Sequence, residues 1–184
     1  RYNILELPAK LYEAGERDIA DDMINSVFKT ICENIKSEKD PFWHMTSASV
    51  LAGEALLLCD NVPAKNVTFN NIYNTHIQGG ERYGTSNVMK EYIKLHPNKS
   101  YCRLIAPYAN AATETRASLD AVMLSAISPF IRNEGICDQA YNSTFDAKDL
   151  VDEKCALFLL TRDESEVSTT VSCLIDQLYQ RMVN

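Results

Sequence analysis

The sequence has little glycine, and what it has is scattered. Six of the 184 residues are glycine, and only Gly79 and Gly80 are adjacent. The pattern G-x-x-x-x-G-K-[ST] does not occur, so the chain lacks the loop whose backbone N–H groups and lysine hold nucleotide phosphates. This excludes an ATP site of the P-loop type within the sequence. We expect no cofactor, no catalytic residues and no enzymatic activity of its own.

Metal-ligand and nucleophile signatures are also missing. The histidines are His44, His76 and His96, and their spacing fits neither H-E-x-x-H nor another zinc pattern. No G-x-S-x-G and no C-x-x-C occurs, and the six cysteines are widely spaced. We therefore expect histidines that face solvent or are satisfied in the core. The cysteines should be reduced thiols, as in a cytosolic protein.

Positive charge is in deficit, since the net charge is −7. A chain with this net negative charge is not expected to bind nucleic acid electrostatically over its whole surface. A basic protein is a better match as a partner. The longest apolar run, Met45 to Cys59, is too short to cross a bilayer and contains Glu54. It is predicted to be a core helix.

What is present is mostly helical periodicity. A first amphipathic helix is predicted from Glu16 to Lys36, with acidic residues in its first turns. A second starts at Asp40 as N-cap, has Pro41 at its first helical position, and runs to Leu58. Because this second helix is apolar almost all round, we expect it at the buried centre of a bundle.

Further helices are predicted along the middle of the chain. One lies around Val67 to Tyr73 and breaks at Gly79-Gly80, and one over Val88 to Ile93 closes before Pro97. Ser100 can cap the next helix, and Thr113 can cap a long one that continues to Phe130.

The character changes after Gly135. Polar sequence leads through a turn at 145–151 to an apolar strand, Cys155 to Leu160, and a last amphipathic helix follows. We predict a helical domain over residues 1–135, and a linker with one β-α unit over residues 136–184. The acids after the strand, Asp163 and Glu164, resemble a Walker B sequence only in composition.

Four stretches in this order resemble a known family. They are Tyr2-Asn3, "DPFW" (Asp40 to Trp43), "TETRASLDAVMLSAISPF" (Thr113 to Phe130) and "DEKCALFLLTRDE" (Asp152 to Glu164) with its helix. The sequence is similar to the coupling proteins of type IV secretion and conjugation, the TraG/TraD type, in versions seen in Gram-positive mobile elements. Its fold class would then be mainly α, a helical bundle with a short C-terminal β-α unit from a RecA-like motor domain.

The resemblance implies a piece of a larger ATPase. In the family an all-α domain is inserted in the motor between Walker A and Walker B, behind an N-terminal membrane anchor. This chain would hold the all-α domain and one returning β-α unit, without the ATP site. The full-length ATPase, here called the parent, would be a hexamer at the cytoplasmic face of the membrane. The present chain, as a fragment of it, would be a monomer or a weak dimer.

The resemblance also implies the partners. Family all-α domains are implicated in recognising relaxase–DNA complexes or other secreted protein substrates. The fragment's own neighbours in the parent would be the motor domain and the membrane anchor.

Two surfaces are candidates for contact with substrate. The first is locally basic and interleaved with aromatic residues, which suits single-stranded DNA; its candidate DNA contacts are Lys90, Lys94, Lys99 and Arg103. The second is acidic and could dock basic protein signals; its candidate contacts are Glu13, Glu16, Asp18, Asp21 and Asp22.

Three other expectations stay open at this point. A free-standing helical adaptor, whose terminal strand completes a partner's sheet, is the main alternative function. A secreted helical glycoprotein is a weaker one, because sequons begin at Asn66, Asn98 and Asn142. Finally, the apolar strand must be covered, by the bundle, by pairing near Tyr2 to Leu7, or by self-association.

Overall fold

The structure is a computed structural model that describes residues 1–33, 35, 40–132, 134–145, 156–158 and 165–183. Its helices are α1 (Glu6–Glu13), α2 (Arg17–Glu33), α3 (Pro41–Asn61), α4 (Phe69–Gly80), α5 (Val88–Leu95), α6 (Ser100–Asn110), α7 (Thr113–Arg132), α8 (Glu134–Tyr141) and α9 (Ser165–Val183). A 3₁₀ turn covers Ala64–Asn66, and a small antiparallel hairpin pairs β1 (Arg82–Tyr83) with β2 (Ser86–Asn87). The mainly α fold class is confirmed.

Helix α3 is the centre of the bundle, as its composition predicted. Asp40 caps it by accepting a hydrogen bond from the backbone N–H of Phe42 at 3.0 Å, and Pro41 is its first residue. Helices α1, α2, α4, α6 and α7 all pack on it. Its apolar surface is therefore buried on nearly every side, and it carries the largest share of the core.

The helix ends differ from the predictions in several places. Ser100 and Thr113 are the first helical residues of α6 and α7, so neither is the N-cap that the sequence suggested. At α6 the N-cap is Lys99, whose side chain makes no capping bond. The end of α2 predicted at Lys36 lies outside the described residues.

Helices α1 and α8 and the hairpin were not predicted. Both helices have only 8 residues, too few for a clear periodic signal. The hairpin turns at Gly84, whose φ of +62° is a conformation that side-chain-bearing residues rarely adopt.

The Tyr2-Asn3 pair ties the N-terminus to distant parts of the chain. The Asn3 side chain donates to the carbonyl of Val67 at 3.0 Å and accepts from the N–H of Leu5 at 3.0 Å. The Tyr2 hydroxyl donates to Gln177 of α9, and its ring stacks on Phe145 at 5.3 Å between centroids. This motif therefore has a structural role.

The predicted C-terminal β-α unit is described only in part. Helix α9 is present and packs on α2, and buried Gln177 donates to the carbonyl of Ile4 at 2.7 Å. Of the predicted strand, Ala156, Leu157 and Phe158 are described, and they belong to no strand. Cys155, Leu159, Leu160 and the turn at 146–151 lie outside the described residues. The domain boundary near residue 135 stays a prediction.

The expectation that the bundle or the N-terminus covers this strand is wrong for the part described. Phe158 is 84% exposed and Leu157 is 39% exposed. The segment near Tyr2 instead bonds to residues 143 and 144 and to α9. Self-association through the strand stays a prediction.

Candidate substrate-docking surfaces

The acidic surface is built where α1 ends and α2 begins. Gly15, with φ of +91°, lets the chain turn between the two helices. Glu13 lies at the end of α1, Glu16 precedes α2, and Asp18, Asp21 and Asp22 lie in its first turns. Asp18, in the first turn of α2, is stabilised by the positive end of the helix dipole. All of these acidic residues are exposed apart from Asp21, which is half-buried.

The members of this acidic surface differ in how far they are already engaged. Glu13 accepts a hydrogen bond from the backbone N–H of Ala64 at 2.6 Å, and Glu16 lies 3.5 Å from Arg181 of α9. Asp18 and Asp22 have no ion-pair partner among the described residues. Burial, then the neighbouring charges of Asp22 and Asp18, raise the pKa of Asp21. The negative potential is therefore concentrated at the start of α2.

The basic surface is less available than the sequence suggested. Lys94 pairs with Glu91 at 2.7 Å, and Lys99 pairs with Asp60 at 2.5 Å. Lys90 is half-buried and Arg103 is exposed, and neither has a carboxylate partner within the described part of the chain. DNA contact through these four residues stays a prediction, but Lys94 and Lys99 are already paired with carboxylates.

Asp60 explains why Lys99 lies where it does. This residue in the last turn of α3 accepts hydrogen bonds from Lys99, from Tyr101 at 3.1 Å and from Tyr12 at 3.2 Å. The bond from Lys99 is the main reason that the pKa of Asp60 is lowered. Lys99 therefore fixes the start of α6 against the end of α3.

The aromatic residues of the basic surface are also partly engaged. Tyr101 is 1% exposed and its hydroxyl lies 3.1 Å from that of Tyr92, so its ring cannot stack on a base. The Tyr92 ring packs against that of His96 in a tilted arrangement, with 4.4 Å between ring centroids. Only Tyr92 and His96 of this predicted stacking set remain near the surface.

A buried charged cluster was missed by the sequence analysis. Glu54 of α3 and His76 of α4 are in contact inside the bundle, and Asp120 of α7, whose side chain is 34% exposed, contacts His76 from the outside. His76 was expected to be satisfied in the core or to face solvent, and it is satisfied in the core. The signal that could have revealed the cluster is Glu54 itself, the acid inside an otherwise apolar run.

Among the described residues no group of three or more His, Cys, Asp or Glu side chains is arranged to hold a metal ion. In the cluster of Glu54, His76 and Asp120 the two carboxylates contact different nitrogens of the imidazole ring. The described cysteines, Cys32, Cys59, Cys102, Cys137 and Cys173, are free thiols. Burial raises the pKa of Cys32, Cys59 and Cys173 to about 12, so these thiols are inert rather than nucleophilic.

Comparison with known proteins identifies the family. The family model for the type IV secretory system, conjugative DNA transfer, matches residues 5–184. The chain belongs to this family. No curated protein and no solved structure matches it. The resemblance to conjugation coupling proteins found from the four motifs is therefore confirmed, and so is a role in conjugative DNA transfer. The origin in a Gram-positive mobile element stays a prediction.

A member of the conjugative DNA-transfer family is part of membrane-associated machinery. In the described residues one helix, α3, is long and apolar enough to span a bilayer by length and composition. In this fold α3 lies at the centre of the bundle, with 61% of its most apolar window buried by other helices. Its apolar character is explained by this position in the core.

Proposed function

We propose that this chain is the substrate-recognition region of a conjugative coupling protein and has no ATP site of its own. The family match supports the setting. The missing P-loop pattern supports the second half of the proposal. In this proposal the region lies at the cytoplasmic face of the membrane as part of a hexameric ATPase.

The observation that carries the choice of surface is the burial of an aromatic residue that the basic surface would need. Each surface keeps two charges without an ion-pair partner among the described residues, Asp18 and Asp22 on the acidic one and Lys90 and Arg103 on the basic one. On the basic surface, however, Tyr101 is 1% exposed and cannot stack on a base. A net charge of −7 acts in the same direction. We therefore assign recognition to the acidic surface, with a basic segment of a relaxase or another protein substrate as its partner.

A charge-reversal experiment tests this assignment. The double variant Asp18→Lys/Asp22→Lys is introduced into the parent gene, and conjugative transfer is measured together with the binding of the purified relaxase of the same element. We expect roughly tenfold weaker relaxase binding, because each rim charge contributes about 0.5–1 kcal/mol. Wild-type binding should also weaken as salt is raised.

The matched control is Glu114→Lys/Glu134→Lys, which reverses two exposed acids at the starts of α7 and α8. It changes net charge by the same amount and should leave relaxase binding near wild type. Equal losses in both variants would indicate a non-specific effect of net charge. Unchanged binding in the Asp18/Asp22 variant would contradict the assignment.

DNA binding is tested separately with Lys90→Glu/Arg103→Glu and a fluorescent single-stranded oligonucleotide. Four phosphate contacts would give a log–log salt slope of roughly −3 to −4. Since Lys94 and Lys99 are paired, at most two phosphate contacts remain, and we expect a slope of roughly −1 to −2. Because the proposal places recognition on the acidic surface, we also expect little change in affinity on substitution. A steep slope that the variant abolishes would move recognition to the basic surface.

A further inference from the structure

We propose that a protonated His76 is a charge lock that fixes α4 between α3 and α7 and thereby sets the groove that α4 and α7 form. The lock consists of Glu54, His76 and Asp120, which come from three different helices. It lies outside both docking surfaces, and it does not depend on the proposed function.

The geometry favours the imidazolium form. Nδ1 of His76 lies 2.8 Å from a carboxylate oxygen of Glu54, and Nε2 lies 3.2 Å from a carboxylate oxygen of Asp120. A neutral imidazole has one N–H donor, whereas the charged form donates from both nitrogens. With an ionised carboxylate at each nitrogen, the ring satisfies both contacts only when it carries the second proton. A neutral ring that accepts from a protonated Glu54 would make the same contacts; burial favours that form by raising the pKa of Glu54, and the contact with His76 opposes it. We place the proton on His76, because the ring contacts two carboxylates whereas Glu54 contacts one imidazole.

Burial makes the contact between Glu54 and His76 costly to break. His76 is 3% exposed and Glu54 is 0% exposed, and the second oxygen of Glu54 has no hydrogen-bond partner in the described structure. His76 is then the one group among the described residues that balances the buried Glu54 carboxylate by direct contact. Loss of one partner of such a pair leaves an uncompensated charge in the core, which is strongly destabilising.

The outer end of the lock is connected to α6. The Tyr108 hydroxyl donates to Asp120 at 2.5 Å, and the guanidinium of Arg116 lies 5.6 Å from the centre of the Tyr108 ring. Arg116 also contributes to the lowered pKa of Asp120, which is opposed by burial and caused chiefly by the bonds from His76 and Tyr108. From α5, the contact on this part of α4 is the uncharged side chain of Met89 against Gly79.

These charges explain how a buried histidine keeps its proton. Burial by itself lowers the pKa of His76, but the charge of Glu54 and the hydrogen bonds to Asp120 and Glu54 outweigh it and raise the pKa to about 10. The unfolded chain should lose the same proton near pH 6.5. The stabilisation is therefore complete below about pH 6.5 and is lost as the pH rises towards 10.

A groove of about 360 Å³ lies between α4 and α7, and it is lined by residues that follow or precede those of the lock along the two helices. Asn70 and Tyr73 of α4 form one wall, and the other wall follows Asp120 along α7; its residues are Leu124, Ser128, Ile131 and Arg132. Tyr73 lies one turn before His76, and Leu124 lies one turn after Asp120. The His76–Asp120 contact therefore holds the two walls at their spacing one turn from the groove.

Histidine NMR of the ¹⁵N-labelled full chain tests the protonation state directly, with His76→Gln used to assign the signal. We expect the His76 ring to carry protons on both nitrogens at pH 8. In Glu54→Gln and Asp120→Asn, which keep the side-chain shape and remove one charge, the titration midpoint should fall by at least about one pH unit. A His76 ring that is neutral at pH 7 would overturn the proposal.

Thermal unfolding between pH 7 and pH 9 gives a second measurement. We expect the wild-type Tm to fall by roughly 5 °C or more across this interval, since the folded state holds a proton that the unfolded chain has lost. The buried thiols contribute to the same trend, so the difference between wild type and Glu54→Gln isolates the lock. A profile unchanged in Glu54→Gln would overturn the proposal.

The control for both measurements is His96→Gln, which removes an exposed imidazole. It should leave the His76 signal and the pH profile of Tm as in wild type. If His76→Gln does not fold, Glu54→Gln and Asp120→Asn still decide the question. The experiments need no substrate, so their failure would leave the proposed function untouched.

Discussion

At the scale of single residues, the packing of α6 against α3 depends on Gly53. A Cβ placed on this residue of α3 would lie 2.7 Å from a side-chain carbon of Ile105, 3.0 Å from Cβ of Leu104 and 3.1 Å from the carbonyl oxygen of Tyr101. The carbonyl belongs to the α6 backbone and cannot rotate away. The glycine therefore lets α6 approach the central helix, and a side chain would push the two apart.

We predict that Gly53→Ala destabilises the chain by about 1–3 kcal/mol, because overpacking forces the helix backbones to shift. Gly80→Ala is the matched control. Gly80 has no neighbour that an added Cβ would meet, and its φ is not positive, so this variant should stay within about 0.5 kcal/mol of wild type. Urea denaturation of both variants measures the difference. Equal stability of the two would show that α6 can retreat without loss.

At the scale of elements, Lys99 and Asp60 join the start of α6 to the end of α3. The Asp60 side chain is 14% exposed and accepts two further hydroxyl hydrogen bonds, whereas the Lys94–Glu91 pair lies on the surface of α5 with 58% and 36% exposure. The two lysines were indistinguishable as candidates in the sequence. Their environments give them different weights in stability.

We predict that Lys99→Met destabilises the chain by roughly 1 kcal/mol at pH 7, and that Lys94→Met changes stability by less than about half of that. The pKa of Asp60 is lowered in the folded state, so its pairing stabilises above the unfolded value near 3.9 and is lost as the pH falls. The difference between wild type and Lys99→Met should shrink between pH 5 and pH 3. A difference that stays constant over this range would contradict the role given to the ion pair.

At the scale of the whole molecule, the chain is a bundle in which the helix that follows the predicted strand shares the core. Cys173 and Leu174 of α9 belong to the same apolar cluster as α2 and α3, and Gln177 bonds to the N-terminal segment. The family match over residues 5–184 spans both parts. Binding and stability measurements on the complete chain are therefore the appropriate ones.

We predict that the chain does not bind Mg-ATP with measurable affinity, because its sequence lacks the P-loop pattern whose backbone N–H groups and lysine hold the phosphates. Isothermal titration calorimetry at about 50 µM protein measures this, and a verified P-loop ATPase is the positive control. Micromolar affinity with one site per chain would refute the proposal that this region has no ATP site.

The sequence by itself determined the features that depend on neighbours within a few turns. The Asp40-Pro41 start of α3, the central position of that apolar helix, the end of α4 at Gly79-Gly80 and the end of α5 before Pro97 all agree with the structure. The family was also recognisable from the sequence, because it is marked by the order of four local motifs, and the family match agrees. Helix periodicity, capping and proline geometry act over a few residues, and such patterns can be read along a chain.

Only the tertiary structure decided which polar groups meet. Lys99 bonds to Asp60, which lies 39 residues away in the sequence. His76 contacts Glu54 and Asp120, at separations of 22 and 44 residues. Tyr2 bonds to Gln177 at a separation of 175 residues. A long charged side chain has the same local pattern whether it faces solvent or a buried carboxylate. Its partner is set by the way whole helices pack, and in this chain packing placed two predicted DNA contacts in ion pairs and a histidine between two acids.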